Sequence, residues 1–161
     1  MKVLIDIAAC NEALSLDQFL PRLLRATEDL PGDILVIDDG SSDSTSEVSK
    51  KYGCMVVRNK ENFGVGTSLR RGYKVAVKDD YDVVISMDAD GQHDQDFLGK
   101  MLDEIYGGAD IVMASRYHPD SERIEVPLDR DLLNVAVAAQ MRIVTGWKIT
   151  DPLCGFWAMR R

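Results

Sequence analysis

The feature that most constrains this chain is the alternation of short β-rich runs with segments of helical period. The runs are VLIDI (3–7), DILVI (33–37), CMVV (54–57), VVISM (83–87) and DIVMAS (110–115). Between most of them apolar residues recur at three- and four-residue spacing. Strands that alternate with helices predict an α/β fold built on a mostly parallel central sheet. In such sheets ligands sit beyond the carboxyl ends of the strands, so the loops after strands are where chemistry is expected.

The helical segments carry more specific expectations. Leu16, Phe19, Leu20, Leu23 and Leu24 space an apolar stripe, and Pro21 within it predicts a helix that starts near Asp17 or later. Ser44 and Glu47 have the spacing of a capping box and Gly53 suits the C′ position, which predicts a short helix over 45–52. Another helix is expected over 66–78. A fourth opens near Asp94 or Asp96, turns Phe97, Met101, Leu102 and Ile105 inward, and stops at Gly107-Gly108. A long helix follows Pro127, and its broad apolar face, from Leu132 and Leu133 to Ile143 and Val144, is expected to join the core.

Composition sets the outer limits. A chain of 161 residues, 45% hydrophobic and 29% charged, has enough apolar side chain for one folded domain with a real core. With 27 acidic against 19 basic side chains the surface repels nucleic-acid backbones, so an anionic small substrate needs a metal ion or a few placed arginines. Cys10, Cys54 and Cys154 are far apart and form no CxxC, which argues against a disulfide framework or structural zinc and for a reducing, cytoplasmic location. The opening MKVLIDIAAC has one lysine and an apolar run broken by Asp6, so it reads as a strand and not as a signal peptide. No stretch approaches the ~20 apolar residues of a membrane span, so a membrane would be met from the side.

Three post-strand loops are chemically loaded: AACNEA after the first strand, DDGSSDST after the second and DADGQHD after the fourth. In a parallel sheet all three fall on one edge. Clustered carboxylates repel one another unless a cation or a donor neutralises them. Asp88 and Asp90 share a side of an extended stretch, since side chains alternate with period two, and Gln92 continues that face. Two carboxylates and an amide suit Mg2+ or Mn2+, hard ions that complete their shell with water and substrate phosphates. Alone, Asp38 and Asp39 in DDGSS also fit a turn with a helix cap. The lone histidines His93 and His118 fit solvated loop positions, and Trp147 and Trp157 fit packing roles.

NE after the first strand, VIDDGSSDST, NFGVGTSLRRGYKVA, SMDADGQH, ASRY and DPLCGF occur in the order and spacing of inverting family 2 glycosyltransferases. The resemblance covers nearly the whole chain and is strongest to the dolichyl- or polyprenyl-phosphate mannosyl- and glucosyltransferase branch. It implies one GT-A domain over 1–161, a Rossmann-like nucleotide-diphospho-sugar transferase fold, short at the acceptor end. It further implies that Asn11 and Glu12 lie beside the nucleotide, that Asp39 binds the base while Asp38 supports that loop, and that Arg70 or Arg71 reaches the nucleotide. Asp88 would sit near ribose and metal, with Asp90 and Gln92 as metal ligands. Arg116 resembles a phosphate-contacting arginine, and Arg130 with Asn134 resembles the branch's pair for the acceptor phosphate. Asp151 falls near the reaction centre, as a general base for a hydroxyl acceptor or as a positioning group for a phosphate.

The chain departs from the family at three places, the first being Asn134, where the branch usually carries serine. The usual P-A-Y-N-E is Ala8-Ala9-Cys10-Asn11-Glu12, without the aromatic beside the base, and S-G-F-R is Cys154-Gly155-Phe156-Trp157, without the arginine. The expected activity is metal-dependent, inverting transfer of a hexose from a nucleoside diphosphate sugar to a polyprenyl or dolichyl phosphate, by a protein that attaches peripherally to the cytoplasmic face of a membrane. The competing readings are a domain that binds nucleotide sugar and metal without turnover, and a haloacid-dehalogenase-type phosphatase with Asp88 as nucleophile. Against the phosphatase, its DxDGT loop follows the first strand of the domain, and Gln92 replaces its threonine. The segment HPDSERIEVP (118–127) is expected to be a mobile loop over donor or acceptor.

Overall fold

Strand β1 (Val3–Ala9) occupies the middle of a six-stranded sheet in the computed structural model, which describes residues 1–91, 93–118, 121 and 127–161. With β2 (Gly32–Asp38), β3 (Met55–Arg58), β4 (Val83–Asp88), β5 (Ile111–Met113) and β6 (Trp157–Arg160), the order is β3-β2-β1-β4-β6-β5. The pairs β1–β2, β1–β4 and β2–β3 are parallel, and β6 runs antiparallel to β4. The expected α/β architecture with a mostly parallel sheet is therefore present. Strand addition runs outward from β1 through β2 to β3, then resumes on the other side of β1 with β4. That reversal opens a crevice between the ends of β1 and β4.

Strands β1 and β4 are buried along almost their whole length and β2 from Ile34 onward, as strands covered on both faces must be, while β3, β5 and β6 are largely half-buried or exposed. Leu4 of β1, Leu35 and Ile37 of β2 and Val84 of β4 share one cluster with Ala76 and Tyr81. Helices α1 (Ala13–Ala26), α2 (Thr45–Lys51), α3 (Val65–Lys78), α4 (Phe97–Tyr106) and α5 (Leu128–Thr145) complete the element list. The chain divides into two compact units, one of residues 1–112 and 156–161 that holds the sheet core, and one of residues 113–155 that holds α5.

Several local expectations change. Helix α1 starts four residues before Asp17 and keeps Pro21 in its interior. Pro21 offers no N–H to the Asp17 carbonyl, and the Tyr52 hydroxyl donates to that oxygen at 3.2 Å instead, so the lost helix bond is replaced from α2's C-terminus. The capping box does not form: Ser44 makes no side-chain cap bond, and Asp43 Oδ1 accepts from the Thr45 N–H at 3.0 Å. Gly53 does take the left-handed conformation expected of a C′ residue, at φ 78°. On α4, Met101, Leu102 and Ile105 are buried as predicted, but Leu98 takes the inward place expected of Phe97, which is exposed.

The largest correction concerns α5. Its buried residues are Asn134 and Ala138, while Leu128, Leu132, Val135 and Ile143 are 57–85% exposed. The apolar face predicted for the core is thus the face turned to solvent. Strand β6 was also unforeseen, because four residues ending in Met-Arg carry too little periodic signal and the pairing with β4 is distant in sequence.

Candidate functional site

The register of the sheet brings the loaded loops to one edge. Ala9 pairs with Asp38 on one side of β1, and Ala8 pairs with Asp88 on the other, with adjacent strands about 4.8 Å apart. The segments after β1, β2 and β4 therefore begin as immediate neighbours.

The first two interlock. Asn11 adopts a left-handed φ of 59°, which asparagine tolerates better than most residues. Its Oδ1 accepts from the Ser42 N–H at 2.8 Å and the Ser42 hydroxyl at 3.0 Å, and its own N–H donates to Ser41 Oγ at 2.9 Å. The next two N–H groups, of Glu12 and Ala13, donate to Thr45 Oγ1 at 3.0 Å and Asp43 Oδ2 at 3.1 Å. Two of the free N–H groups at the start of α1 are thus satisfied by DDGSSDST. Cys10, standing where the family carries an aromatic, accepts from Asn62 Nδ2 at 3.3 Å through its sulfur.

Asp38 is fully buried and serves that second loop. It accepts from the Ser41 N–H at 2.9 Å and from the Ser46 hydroxyl, with Arg58 Nε 3.6 Å from its Oδ2. Burial alone would raise its pKa, but these hydrogen bonds and the nearby guanidinium outweigh burial and hold the carboxyl below its usual value. Asp39 serves the β3–α3 loop: it accepts from the Asn59 amide, from the Phe63 N–H at 3.1 Å and from the Gly64 N–H at 2.8 Å. Gly64, at φ 85°, caps α3. The carboxylate expected at the base therefore also shapes the entrance to the helix that carries Arg70, which is exposed, and Arg71, which is half-buried.

At the end of β4 the extended run breaks. The strand stops at Asp88, residues 89–90 form a turn, and Gly91 is left-handed at φ 72°, so the two-residue alternation does not carry on to Asp90. Asp90 opens on a polar cavity of about 150 Å³ whose walls include Ser15, Gln18, Arg22 and Gln95. Asp88 is met by His93, which accepts from the Asp88 N–H through Nδ1 at 3.2 Å and brings Nε2 within 3.5 Å of Asp88 Oδ2. His93 is not solvated as its loop position predicted, since its side chain is 15% exposed and its ring stacks on Phe156 with centroids 5.0 Å apart. Gln92 lies outside the described residues, as do 119–120 and 122–126 of the segment expected to be mobile.

Hard carboxylate oxygens from Asp88 and Asp90 match Mg2+ or Mn2+ in chemical type. Among the described residues no group of three or more His, Cys, Asp or Glu side chains is arranged to enclose a metal. Such a donor set fits an ion completed by phosphate oxygens and water, and does not fit a closed protein cage.

One residue that sequence reasoning passed over is Asp6. It sits in the middle of β1 between Leu35 and Ser86, is fully buried, and neither oxygen has a hydrogen-bond partner among the described residues. Burial pushes its pKa from 3.8 up to about 7. Gly72 of α3 lies directly over it, so that a Cβ there would collide with the carboxylate. The signal was an aspartate inside an otherwise apolar strand.

In the unit of residues 113–155, Asp151 is buried and grips Arg116 with both oxygens. Nε donates to Oδ2 at 2.8 Å, Nη2 donates to Oδ1 at 2.9 Å, and the Arg116 backbone N–H adds a bond to Oδ2 at 3.1 Å. Hydrogen bonding to Asp151 raises the guanidinium pKa further above its normal value. The fork leaves Nη1 and the second Nη2 proton for another anion. Asn134 is buried and donates to the Thr150 carbonyl at 3.1 Å, while Arg130 is exposed on the first turn of α5. Trp157, in the other unit, packs edge-on against Tyr73 with centroids 5.7 Å apart, in keeping with a packing role.

Residues 5–161 match the family described as glycosyl transferase family 2. The chain is 34% identical over its whole length to a dolichol-phosphate mannosyltransferase of Pyrococcus furiosus, covering 47% of that protein. It is 32% identical over 99% of its length to an undecaprenyl-phosphate mannosyltransferase of Micrococcus luteus, covering 67% of it. It thus spans about half to two thirds of the length of these curated relatives. Among solved structures, mannosyl-3-phosphoglycerate synthase from Rubrobacter xylanophilus aligns with a TM-score of 0.74 at 19% identity, over 99% of this chain and 53% of that one. Glucosyl-3-phosphoglycerate synthase from Mycobacterium tuberculosis in complex with Mn2+ and UDP-glucose aligns at 0.72 and 20% identity, over 99% and 56%. At these identities the structural likeness speaks for the fold.

Proposed function

Because the chain belongs to glycosyl transferase family 2, we propose that residues 1–161 form a GT-A catalytic domain that transfers a hexose, with inversion, from a nucleoside diphosphate sugar to a polyprenyl phosphate. The observation that carries the donor half is the register that sets Asp38 and Asp88 on either side of the end of β1, at the crevice where nucleotides bind in open α/β sheets. Asn11 with Glu12, Asp39, and Arg70 or Arg71 would surround the nucleotide. Asp88, Asp90 and Gln92 would hold a Mg2+ or Mn2+ ion, whose charge offsets that of the departing diphosphate.

In the reaction an acceptor phosphate oxygen forms a bond to the anomeric carbon as the bond to the nucleoside diphosphate breaks on the opposite face. The nucleoside diphosphate leaves with the electron pair. A phosphate is already anionic at neutral pH and needs no base. The engagement of Asp151 with Arg116 favours that reading, because both carboxylate oxygens already accept from Arg116, which makes Asp151 a clamp for the guanidinium. Arg116 would offer its remaining N–H groups to phosphate, and Arg130 would orient the acceptor.

The exposed stripe of α5 supports a lipid-borne acceptor and peripheral attachment to a membrane. In a chain of net charge −8, residues 132–150 contain no acid and carry Arg142 and Lys148, beside exposed Leu132, Ile143 and Trp147. Apolar side chains rimmed by bases suit a bilayer interface, and no helix among the described residues is long and apolar enough to cross one.

Calorimetric titration of GDP, UDP, GDP-mannose and UDP-glucose, each with Mn2+ and with EDTA, tests the donor half. Metal-dependent binding of one nucleotide class is expected in the native chain and is lost in Asp90→Ala. A folded sample that binds none of them overturns the proposal. Transfer to a short-chain polyprenyl phosphate then tests the acceptor half.

A further inference from the structure

We propose that His93 is a positioning residue for Asp88, held in that role by Phe156. The imidazole engages one residue twice, accepting from the Asp88 N–H at Nδ1 and facing the Asp88 carboxylate with Nε2. An accepting Nδ1 carries no proton, so the proton resides on Nε2, the atom 3.5 Å from Oδ2. The turn at 89–91, with its left-handed Gly91, brings His93 back over the strand end.

Phe156 fixes the ring from behind. It is 3% exposed, lies at 14° to the imidazole plane, and immediately precedes β6. Because β6 pairs with β4 through Ser86 and Trp157, the sheet itself delivers the Phe156 ring to the end of the strand that carries Asp88. Phe156 thereby acts on the aspartate through the histidine. Partners that orient a coordinating carboxylate typically contribute about 10–100-fold to metal affinity.

The inference rests on the proposed metal role of Asp88, and its test separates the two. Nucleotide affinity is measured by calorimetry with Mn2+ and with EDTA for the native chain and for His93→Phe, which keeps a ring against Phe156 but removes both nitrogens. The expected result is a metal-dependent gain in the native chain that falls roughly 10–100-fold in His93→Phe, with EDTA affinity and melting temperature unchanged. A native gain that His93→Phe retains would make the ring mere packing and overturn the inference alone. A native chain with no gain overturns the metal reading and this inference with it. Should His93→Phe fail to fold, nitrogen-15 spectra of the native imidazole decide: a protonated Nε2 with bare Nδ1 is expected, and a protonated Nδ1 overturns the assignment, since it could not accept from Asp88.

Discussion

Replacing Asp6 by asparagine should stabilise the protein at neutral and higher pH, and the size of the gain follows from burial. The native carboxyl titrates near 7 against 3.8 for the free side chain, because desolvation penalises its charged form. Each unit of difference corresponds to about 1.4 kcal/mol, so the shift of about three units amounts to about 4 kcal/mol. For a raised carboxyl the folded state holds the proton longer than the unfolded one. Its contribution is therefore fully present below about pH 4, is lost progressively as pH rises towards 7, and stays lost above that. Asparagine keeps the shape and removes the titration, at the cost of burying an amide whose neighbours offer few partners, which reduces the net gain to about 2–3 kcal/mol. Urea unfolding of both proteins across pH 4–8 measures it: the gap between the curves should widen from pH 4 to 7 and then level. Parallel curves would refute the reasoning, because every other titrating group is common to both proteins.

Three further outcomes are expected. Gly72→Ala should destabilise by about 1–3 kcal/mol, because the new methyl meets the Asp6 carboxylate, and an Asp6→Ala background should relieve most of that cost in a double-mutant unfolding cycle. Arg116→Lys should lower thermal stability almost as much as Arg116→Ala, since a point ammonium cannot reproduce the two-bond grip on buried Asp151; full retention of melting temperature by the lysine variant would contradict it. Ile143→Asp, on the exposed stripe of α5, should weaken co-sedimentation with anionic-lipid vesicles by about tenfold or more with the fold unchanged by circular dichroism, and equal sedimentation would remove α5 from the membrane-facing role.

Much of the fold was legible in the chain because its signals are local. Continuous apolar runs marked β1 to β4 to within one or two residues, and Gly53 and Gly107 punctuated the helices where the structure ends them. The misplaced features are those whose cause lies elsewhere in the sequence. Pro21 is admitted inside α1 because Tyr52 supplies the missing donor, and α1 is capped by Asp43 and Thr45 of another loop, not by its own residues. Asp88 and Asp90 were read as one face of an extended strand, but β4 ends at Asp88, a turn follows, and Asp90 lines a polar cavity with Ser15, Gln18, Arg22 and Gln95.

By itself, the sequence determined the α/β order, the three acid- and amide-bearing loops and the family to which the chain belongs, since each is written in contiguous residues whose spacing sets their local conformation. Only the tertiary structure decided what those residues do with their hydrogen bonds. It committed Asp39 to Phe63 and Gly64, paired Asp151 with Arg116, folded His93 between Asp88 and Phe156, and left Asp6 buried without a hydrogen-bond partner among the described residues. A polar side chain's partner and its degree of desolvation are set by segments far away in the chain, and no local pattern encodes them.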